Sequence, residues 1–239
     1  MRRFFAPAEN FTATSVRLES DETHHLRDVL RLRVGDEVYA MDGRGREFRC
    51  RIVEIDRRSA ELELLEAAAP IVPESPLDLT LAAAVLTSDN FDLVVQKSVE
   101  LGVRTLIPLL TVRGDVKVKD PAAKVKRWDR IALEAAKQSG RNKLMSILPP
   151  VSFTEFAKST SKPNVLFFSE RCGDGLPELQ REHPVTAIVG PAGGWDDAEI
   201  ETAERKGFAI VTLGGRILRA ETAAIAAATI IQHRFGDLN

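Results

Sequence analysis

The sequence predicts an α/β protein made of a small amino-terminal β-barrel-like domain and a larger domain with a parallel, helix-covered sheet. Residues before position 70 form short segments with the two-residue period of strands. Pro70, Pro73 and Pro76 then fall within seven residues, which is typical of a linker because proline resists both helix and central strand. After the linker, strand-like and helix-like segments alternate. We therefore place one domain at residues 1–70 and the other at 71–239.

The amino-terminal strands are predicted from alternation and turn signals. Val38–Met41 leads into Asp42-Gly43-Arg44-Gly45, a glycine-rich turn. Residues 47–52 then alternate, so that an apolar face opposes a face rich in arginine. Leu62 and Leu64 repeat the alternation. Short strands of this kind favour a small barrel-like sheet.

One helix is predicted in this first domain, from Glu22 to Leu32. Leu26, Val29 and Leu30 would share its apolar face, and Arg27 and Arg31, four residues apart, would share another.

The second domain is predicted from alternating apolar runs and helix boundary signals. Gly102 and Gly140 follow helical patterns and indicate helix ends. Ser152 with Glu155, and Asp196 with Glu199, have the spacing of capping boxes that open helices. The predicted strands are 79–86, 105–110, 165–169, 186–189 and 208–213, and the predicted helices are 91–101, 122–139, one from 152, one from 196 and 221–235.

Composition excludes several classes of protein. The chain has 239 residues, 33 basic and 35 acidic side chains and 44% hydrophobic residues, as expected of a folded domain with a sizeable core. No uninterrupted apolar run exceeds six residues, so no membrane span or secretory signal is expected. Two cysteines, Cys50 and Cys172, suit a reducing cytoplasm. Histidine spacing predicts no metal site, and no nucleophilic serine motif is present.

Two glycine-bearing turns follow predicted strands and precede predicted helices, at residues 189–194 and 213–219. Ligands of open α/β sheets bind beyond the carboxyl ends of strands, and glycine lets a ligand approach the backbone. Neither turn has the spacing of a Walker loop or a dinucleotide fingerprint. Each alone could be a tight turn, but two in successive units favour a ligand site.

A third group of residues, Gln138–Asn142, ends the long predicted helix. Its Arg141 and Asn142 could donate hydrogen bonds to a carbonyl or phosphate, or they could form a plain helix end.

Taken together and in order, these motifs resemble the RsmE family. The matching segments are 96–103, Trp128 through Asn142, 190–194, 213–222, the amino-terminal Arg2–Phe5 and 25–31. That family consists of SPOUT-class methyltransferases that modify N3 of a uridine in the 16S ribosomal RNA of the small subunit. The resemblance implies a PUA-like RNA-binding domain, a SPOUT domain with a carboxyl-terminal trefoil knot, S-adenosyl-L-methionine as cofactor, and a homodimer.

The resemblance also implies roles for individual residues. Arg141 would favour the uracil anion and Asn142 would hold its O2 or O4 edge. No general base is assigned, because Glu170 and Glu221 could each serve as the base or be structural. Ala192 stands where the family usually has glutamate. The implied cofactor-binding residues are Phe168, Ser169, Gly190, Pro191, Gly193, Gly194, Leu213, Gly214, Ile217, Leu218 and Thr222. RNA binding is expected from Arg2, Arg3, Arg27, Arg31, Arg49 and Arg51, since residues 1–70 contain 12 arginines and no lysine.

Three alternatives remain at this point. A SPOUT methyltransferase could act on another RNA, such as transfer RNA, and Ala192 leaves open an RNA-binding assembly factor without catalysis. A dinucleotide-dependent dehydrogenase is disfavoured because its glycine fingerprint is missing.

Overall fold

The computed structural model describes residues 2–160, 163–180 and 183–238. It divides into two compact units. The first contains Met1–Glu74 and Ala136–Leu144, and the second contains Ser75–Ala135 and Met145–Asn239. The first unit thus includes a segment that is distant in sequence from the predicted domain 1–70.

The first unit is built on a five-stranded sheet in the order β1-β3-β4-β5-β2. β1 pairs with β3 in parallel, and the other pairs are antiparallel. Cys50 and Ile52 are fully buried, which confirms the predicted apolar face. The strands are β1 (Arg3–Phe5), β2 (Ser15–Leu18), β3 (Glu37–Met41), β4 (Glu47–Ile55) and β5 (Ala60–Ala68).

The predicted helix from Glu22 to Leu32 is wrong in its length and in its buried face. Helix α1 covers Ser20–His24 and continues as a π turn, His25–Val29. The N–H of Leu30 donates to the carbonyl of His25 at 2.9 Å, five residues back. This wider turn changes the direction of the side chains that follow, so Leu26 is buried while Val29 and Leu30 are exposed. Arg31 has a φ of 53° and ends the segment.

The second unit has a parallel sheet, as predicted, with seven strands in place of the five that were predicted. The order is β12-β10-β11-β6-β7-β8, with β9 also pairing with β7. Every pair in it is parallel. The strands are β6 (Leu79–Ala84), β7 (Thr105–Leu110), β8 (Ser146–Ile147), β9 (Val151–Ser152), β10 (Asn164–Phe168), β11 (Val185–Val189) and β12 (Ala209–Val211). The short strands β8 and β9 were not predicted.

The helices that follow α1 in the described residues confirm the predicted boundary signals, although α2 begins at Ser88, three residues before the predicted start at Phe91. Gly102 and Gly140 adopt φ values of 72° and 85° directly beyond helix ends. The Ser152 side chain accepts a hydrogen bond from the N–H of Glu155, and Asp196 forms a complete capping box with Glu199. The helices are α2 (Ser88–Glu100), α3 (Pro121–Ser139), α4 (Phe153–Ser159), α5 (Asp197–Arg205) and α6 (Ala220–Phe235).

An aromatic cluster supports one end of the parallel sheet. The Trp195 ring lies 4.3 Å from that of Phe167 and 5.2 Å from that of Phe153, centre to centre, and all three are buried.

Among the described residues, no helix is long and apolar enough to cross a membrane.

Candidate functional site

A cavity of about 350 Å³ lies in the second unit, at the carboxyl ends of β10, β11 and β12. β10 is paired on one side with β11 and on the other with β12, so the three strands end at one edge of the sheet. The loops that leave these strands form the walls, and Ala220 and Ala223 of α6 complete them. A volume of this size is within the usual range for small-molecule sites, about 300–1,000 Å³.

The cavity brings together all but one of the residues predicted to bind a cofactor. Only Thr222 is not among its lining residues, although Ala220 and Ala223 of the same helix turn are. The predicted residues that line it are Phe168, Ser169, Gly190, Pro191, Gly193, Gly194, Leu213, Gly214, Ile217 and Leu218.

Position 190 must be glycine because the indole of Trp195 lies directly behind it. The Trp195 Nε1–H donates to the carbonyl of Phe168 at 2.8 Å, which fixes the ring at the base of the wall. A Cβ on residue 190 would lie 2.7 Å from Trp195 Cε2 and Nε1, closer than side-chain carbons approach. The wall can therefore reach this position only with glycine.

Gly193 and Gly194 also lie against neighbouring groups. A Cβ on Gly193 would be 3.1 Å from the carbonyl oxygen of Arg113. Gly194 has a φ of 72°, and a Cβ there would be 2.6 Å from a carboxylate oxygen of Glu170. The close approach of Glu170 to this loop makes it part of the cavity wall.

Several lining residues were missed by the cofactor prediction from sequence: Glu170, Val189, Ala192, Val211, Thr212, Gly215, Arg216, Ala220 and Ala223. For most of them the signal was their position close to predicted residues at the same three strand ends and loops, whereas Ala220 and Ala223 lie on α6 beside the predicted Thr222. Thr212 connects two of the loops, because its hydroxyl oxygen lies within hydrogen-bond distance of the carbonyl oxygens of Ser169 and Cys172, at 3.0 and 2.8 Å.

The loop from Leu213 to Leu218 offers unused backbone donors. Within the described parts of the chain, the N–H groups of these six residues donate to no other protein group. Ile217 on this loop is 85% exposed, which is unusual for a large apolar side chain. Backbone donors beside apolar side chains suit a ligand with both a polar and an aromatic part.

Charge in the cavity comes from two lining residues, Glu170 and Arg216. The guanidinium of Arg216 can bind a carboxylate, so the lining fits the carboxylate of an amino-acid moiety. S-adenosyl-L-methionine has such a moiety together with an adenine and a sulfonium centre. The residues present therefore fit this cofactor.

The two predicted catalytic residues lie in the first unit, and their side chains are engaged there. Arg141 is 7% exposed and donates from Nη2 to Glu74 Oε2 at 2.8 Å. Asn142 is 1% exposed and donates from Nδ2 to the carbonyl of Gly45 at 3.0 Å. Their roles toward a base stay predictions.

The arginines predicted to bind RNA have unlike surroundings. Arg3 is buried and donates from Nε to Glu47 at 2.7 Å, so its guanidinium stabilises the first unit. Arg2 and Arg31 are exposed. Arg27 is partly exposed, and its hydrogen bond holds the pKa of Asp28 at about 2.

Arg49 and Arg51 lie on one face of β4, but carboxylates of the neighbouring strands meet them. Glu37 of β3 accepts from both, at 3.0 and 3.3 Å. Glu66 lies 2.9 Å from Arg49 Nε, and Glu63 lies 3.8 Å from Arg51 Nη1. Three glutamates thus balance two arginines on this face.

Among the described residues, no three or more histidine, cysteine, aspartate or glutamate side chains lie together so that they could hold a metal ion.

Two family models match the chain. A model described as an RNA methyltransferase domain matches residues 73–232, and one described as an RNA methyltransferase PUA domain matches residues 18–65.

Relatives and solved structures agree with these matches. The Synechocystis ribosomal RNA small subunit methyltransferase E is 36% identical, over 93% of this chain and 74% of that protein. The enzyme of the same name from Bacillus subtilis is 28% identical, over 93% and 91%. A Neisseria gonorrhoeae ribosomal RNA small subunit methyltransferase E, solved with S-adenosyl methionine, superposes with a TM-score of 0.91 at 34% identity over all of both chains. A Legionella pneumophila methyltransferase solved with the same cofactor gives a TM-score of 0.91 at 31% identity, over 99% and 98%.

Proposed function

The chain belongs to the ribosomal RNA small subunit methyltransferase E family, and from that membership we propose that it methylates N3 of a uridine in 16S ribosomal RNA with S-adenosyl-L-methionine. The observation that carries the proposal is the cavity at the ends of β10, β11 and β12. It combines glycine-lined walls, unused backbone donors and one side chain of each charge. Relatives of similar fold bind this cofactor.

S-adenosyl-L-methionine, when bound, supplies an electrophilic methyl group on a sulfonium centre. The loops 189–194 and 211–218 would hold the adenine and amino-acid parts through backbone groups, and Leu213, Ile217 and Leu218 would exclude water from the adenine. In-line transfer needs alignment above all, and a rigid wall such as that made by Gly190 and Trp195 provides it.

Uracil N3 carries a proton in its neutral form, and this proton must leave as the N3–carbon bond forms and the sulfur–carbon bond breaks. Glu170 lines the cavity and Glu221 does not. We assign the proton acceptor to Glu170. Glu170→Gln should lower kcat at neutral pH. The kcat of this variant should recover as the pH approaches the pKa of uracil N3, because N3 then loses its proton without a base. A loss of kcat that is independent of pH would contradict the assignment.

Arg141 is proposed to favour the uracil anion. Arg141→Ala should lower kcat far more than the affinity for S-adenosyl-L-methionine. Because this change leaves Glu74 without its 2.8 Å partner, Arg141→Ala/Glu74→Gln serves as the folding control. Equal losses of turnover and cofactor affinity in the double variant would contradict the role.

The decisive test of the proposed function is mapping of methylated uridine in small-subunit RNA by mass spectrometry, from a strain without the gene and from the same strain with the gene restored. Loss and recovery of a single N3-methyluridine would support it. Methylation of transfer RNA would instead favour another RNA substrate. Absence of S-adenosyl-L-methionine binding in calorimetry would favour an assembly factor, the alternative that Ala192 left open.

The knot, the homodimer and a cytoplasmic location are parts of the same proposal. Support for a dimer comes from apolar side chains of the second unit that are exposed in the single chain, among them Leu93 on α2 and Ile230 on α6. Sedimentation equilibrium at micromolar concentration should give twice the chain mass of 26.3 kDa. A monomer at that concentration would remove the dimer from the proposal.

A further inference from the structure

The β3–β4 loop, Asp42–Arg46, is a rigid structure within the first unit. The buried Asp42 carboxylate accepts hydrogen bonds from the N–H groups of Arg44 and Arg46, at 2.8 and 3.0 Å. Gly43 and Gly45 have φ values of 70° and 107°, which only glycine adopts without strain. The side chains of Arg44 and Arg46 consequently project from a fixed backbone.

Residues 142–144 pair with this loop through an isolated antiparallel bridge. The N–H of Gly45 donates to the carbonyl of Asn142 at 3.1 Å, and the N–H of Leu144 donates to the carbonyl of Gly43 at 2.9 Å. The Asn142 side chain adds a third bond, to the carbonyl of Gly45 at 3.0 Å. Asn142 thus ties the two segments together.

This pairing places like charges opposite each other. Arg44 and Lys143 form an antiparallel bridge pair, and both are exposed. Directly opposed like charges destabilise a β pair, unless an anion binds between them. In the described part of the chain neither side chain has an ion-pair partner, and the nearby Arg46 is 61% exposed although it pairs with Asp42.

We propose that Arg44, Arg46 and Lys143, the cationic loop, form a binding site for phosphate groups of the RNA, with Asn142 as the residue that positions it. The inference rests on the proposed function and moves the main RNA contact away from the Arg49/Arg51 face. That face already contains three carboxylates, which would repel a phosphate. Within the described ranges, two carboxylates lie beside the cationic loop, and both are already paired. Asp42 has no exposed side-chain surface, and Glu74 accepts from the N–H of Lys143 at 3.4 Å and from Arg141 at 2.8 Å.

The test compares Arg44→Gln/Lys143→Gln with Arg57→Gln/Arg58→Gln. The control removes the same charge from two exposed arginines at the opposite end of β4. Binding to small ribosomal subunits from a strain lacking the gene is measured across a salt series. The loop variant should bind roughly tenfold more weakly or worse. The slope of log affinity against log salt should fall by about 1.4–1.8, as expected for two lost phosphate contacts.

Equal behaviour of the loop variant and the control would overturn the inference, as would a larger loss from Arg49→Gln/Arg51→Gln. The affinity for S-adenosyl-L-methionine distinguishes failure of this inference from failure of the proposed function. If the wild-type protein binds cofactor and subunits but the loop variant binds subunits as well as wild type, only this inference fails. If the wild-type protein binds neither, the proposed function fails.

A second variant distinguishes positioning from contact with the base. Asn142→Asp replaces the donor to Gly45 with an acceptor and should loosen the loop. We expect KM for the subunit to rise severalfold, and the affinity for the subunit in the binding assay to fall by a similar factor. A large loss of kcat with unchanged KM would return Asn142 to the uracil and contradict the positioning role.

Discussion

At the scale of single residues, the shape of the cavity wall depends on the absence of a side chain at Gly190. Gly190 is in contact with the buried ring of Trp195, whereas Gly215 lines the same cavity with no atom within 4 Å of the place a Cβ would occupy. The two glycines therefore form a matched pair for testing the wall.

Gly190→Ala should lower the free energy of unfolding by about 1–3 kcal/mol, as is usual when a packed site receives an extra methyl group. It should also weaken S-adenosyl-L-methionine binding, because Trp195 has to move away from the wall. Gly215→Ala should change the stability by less than about 1 kcal/mol. Thermal melting and calorimetry of both variants check this, and similar losses in the two would contradict the role of the indole.

At the scale of structural elements, the amino terminus of α5 also holds the loop that follows β7. Glu199 is 5% exposed; its Oε2 accepts from the N–H of Asp196 at 3.1 Å and its Oε1 from the N–H of Val112 at 3.0 Å. The loop after β7 that contains Val112 continues to Arg113, whose carbonyl lies against Gly193 of the cavity. The capping box thereby supports the cofactor wall.

Glu199→Ala should cost about 2–4 kcal/mol, because it leaves two backbone donors without their acceptor. The matched change is Glu155→Ala at the start of α4. This side chain is exposed and, among the described residues, accepts only from the Ser152 hydroxyl, so its loss should cost about 1 kcal/mol or less. Urea unfolding measures both. Equal costs would show that the Val112 tether contributes nothing.

The Asp42 carboxylate of the β3–β4 loop makes the stability of the fold depend on pH. Burial by itself would raise the pKa of Asp42, but hydrogen bonds from the Arg46 side chain and from the N–H groups of Arg44 and Arg46 outweigh it and lower this pKa below its ordinary 3.8. A lowered pKa in the folded state gives a stabilisation that is fully present above about pH 4–5. The stabilisation is lost as the pH falls through the lowered value.

The melting temperature of Asp42→Asn should therefore lie below that of the wild type at pH 7, and the difference should shrink as the pH approaches 3. Shifts from other carboxylates, including Asp28, are common to both proteins and cancel. A difference that stays constant between pH 7 and 3 would contradict the assigned ion pair.

At the scale of the whole molecule, the first unit is completed by a segment that follows most of α3 in the chain. Lys137 lies 2.8 Å from the Glu22 carboxylate, and the two side chains are only 8% and 12% exposed. Arg3 donates to the carbonyl of Arg141 at 3.3 Å. Without 136–144, both Glu22 and Arg3 would lose buried partners.

A fragment of residues 1–74 should consequently lack cooperative unfolding, since the loss of a buried ion-pair partner costs about 3–5 kcal/mol. The same fragment joined by a short flexible linker to residues 136–144 should regain it. Circular dichroism during heating distinguishes the two. Cooperative melting of the 1–74 fragment alone would show that the boundary predicted near residue 70 also separates the folding units.

The sequence by itself determined the parallel sheet, the helix ends at Gly102 and Gly140, and the helix starts at Ser152 and Asp196, whereas the cavity-lining residues that were predicted came from the family resemblance. The helix ends and starts depend on residues within a few positions of one another, where steric limits and hydrogen bonds act locally. The length and buried face of the first helix were not predicted correctly, because a π turn at His25–Val29 redirects the side chains.

Only the tertiary structure decided which polar groups are already paired. Glu37 meets Arg49 and Arg51 through the β3–β4 register, Arg3 finds Glu47 across 44 residues, and Asn142 reaches Gly45 across 97. The sequence shows the charge of an arginine but not the group with which that arginine pairs. Its availability to an RNA depends on which distant strand the fold places beside it, and on whether that strand brings a carboxylate.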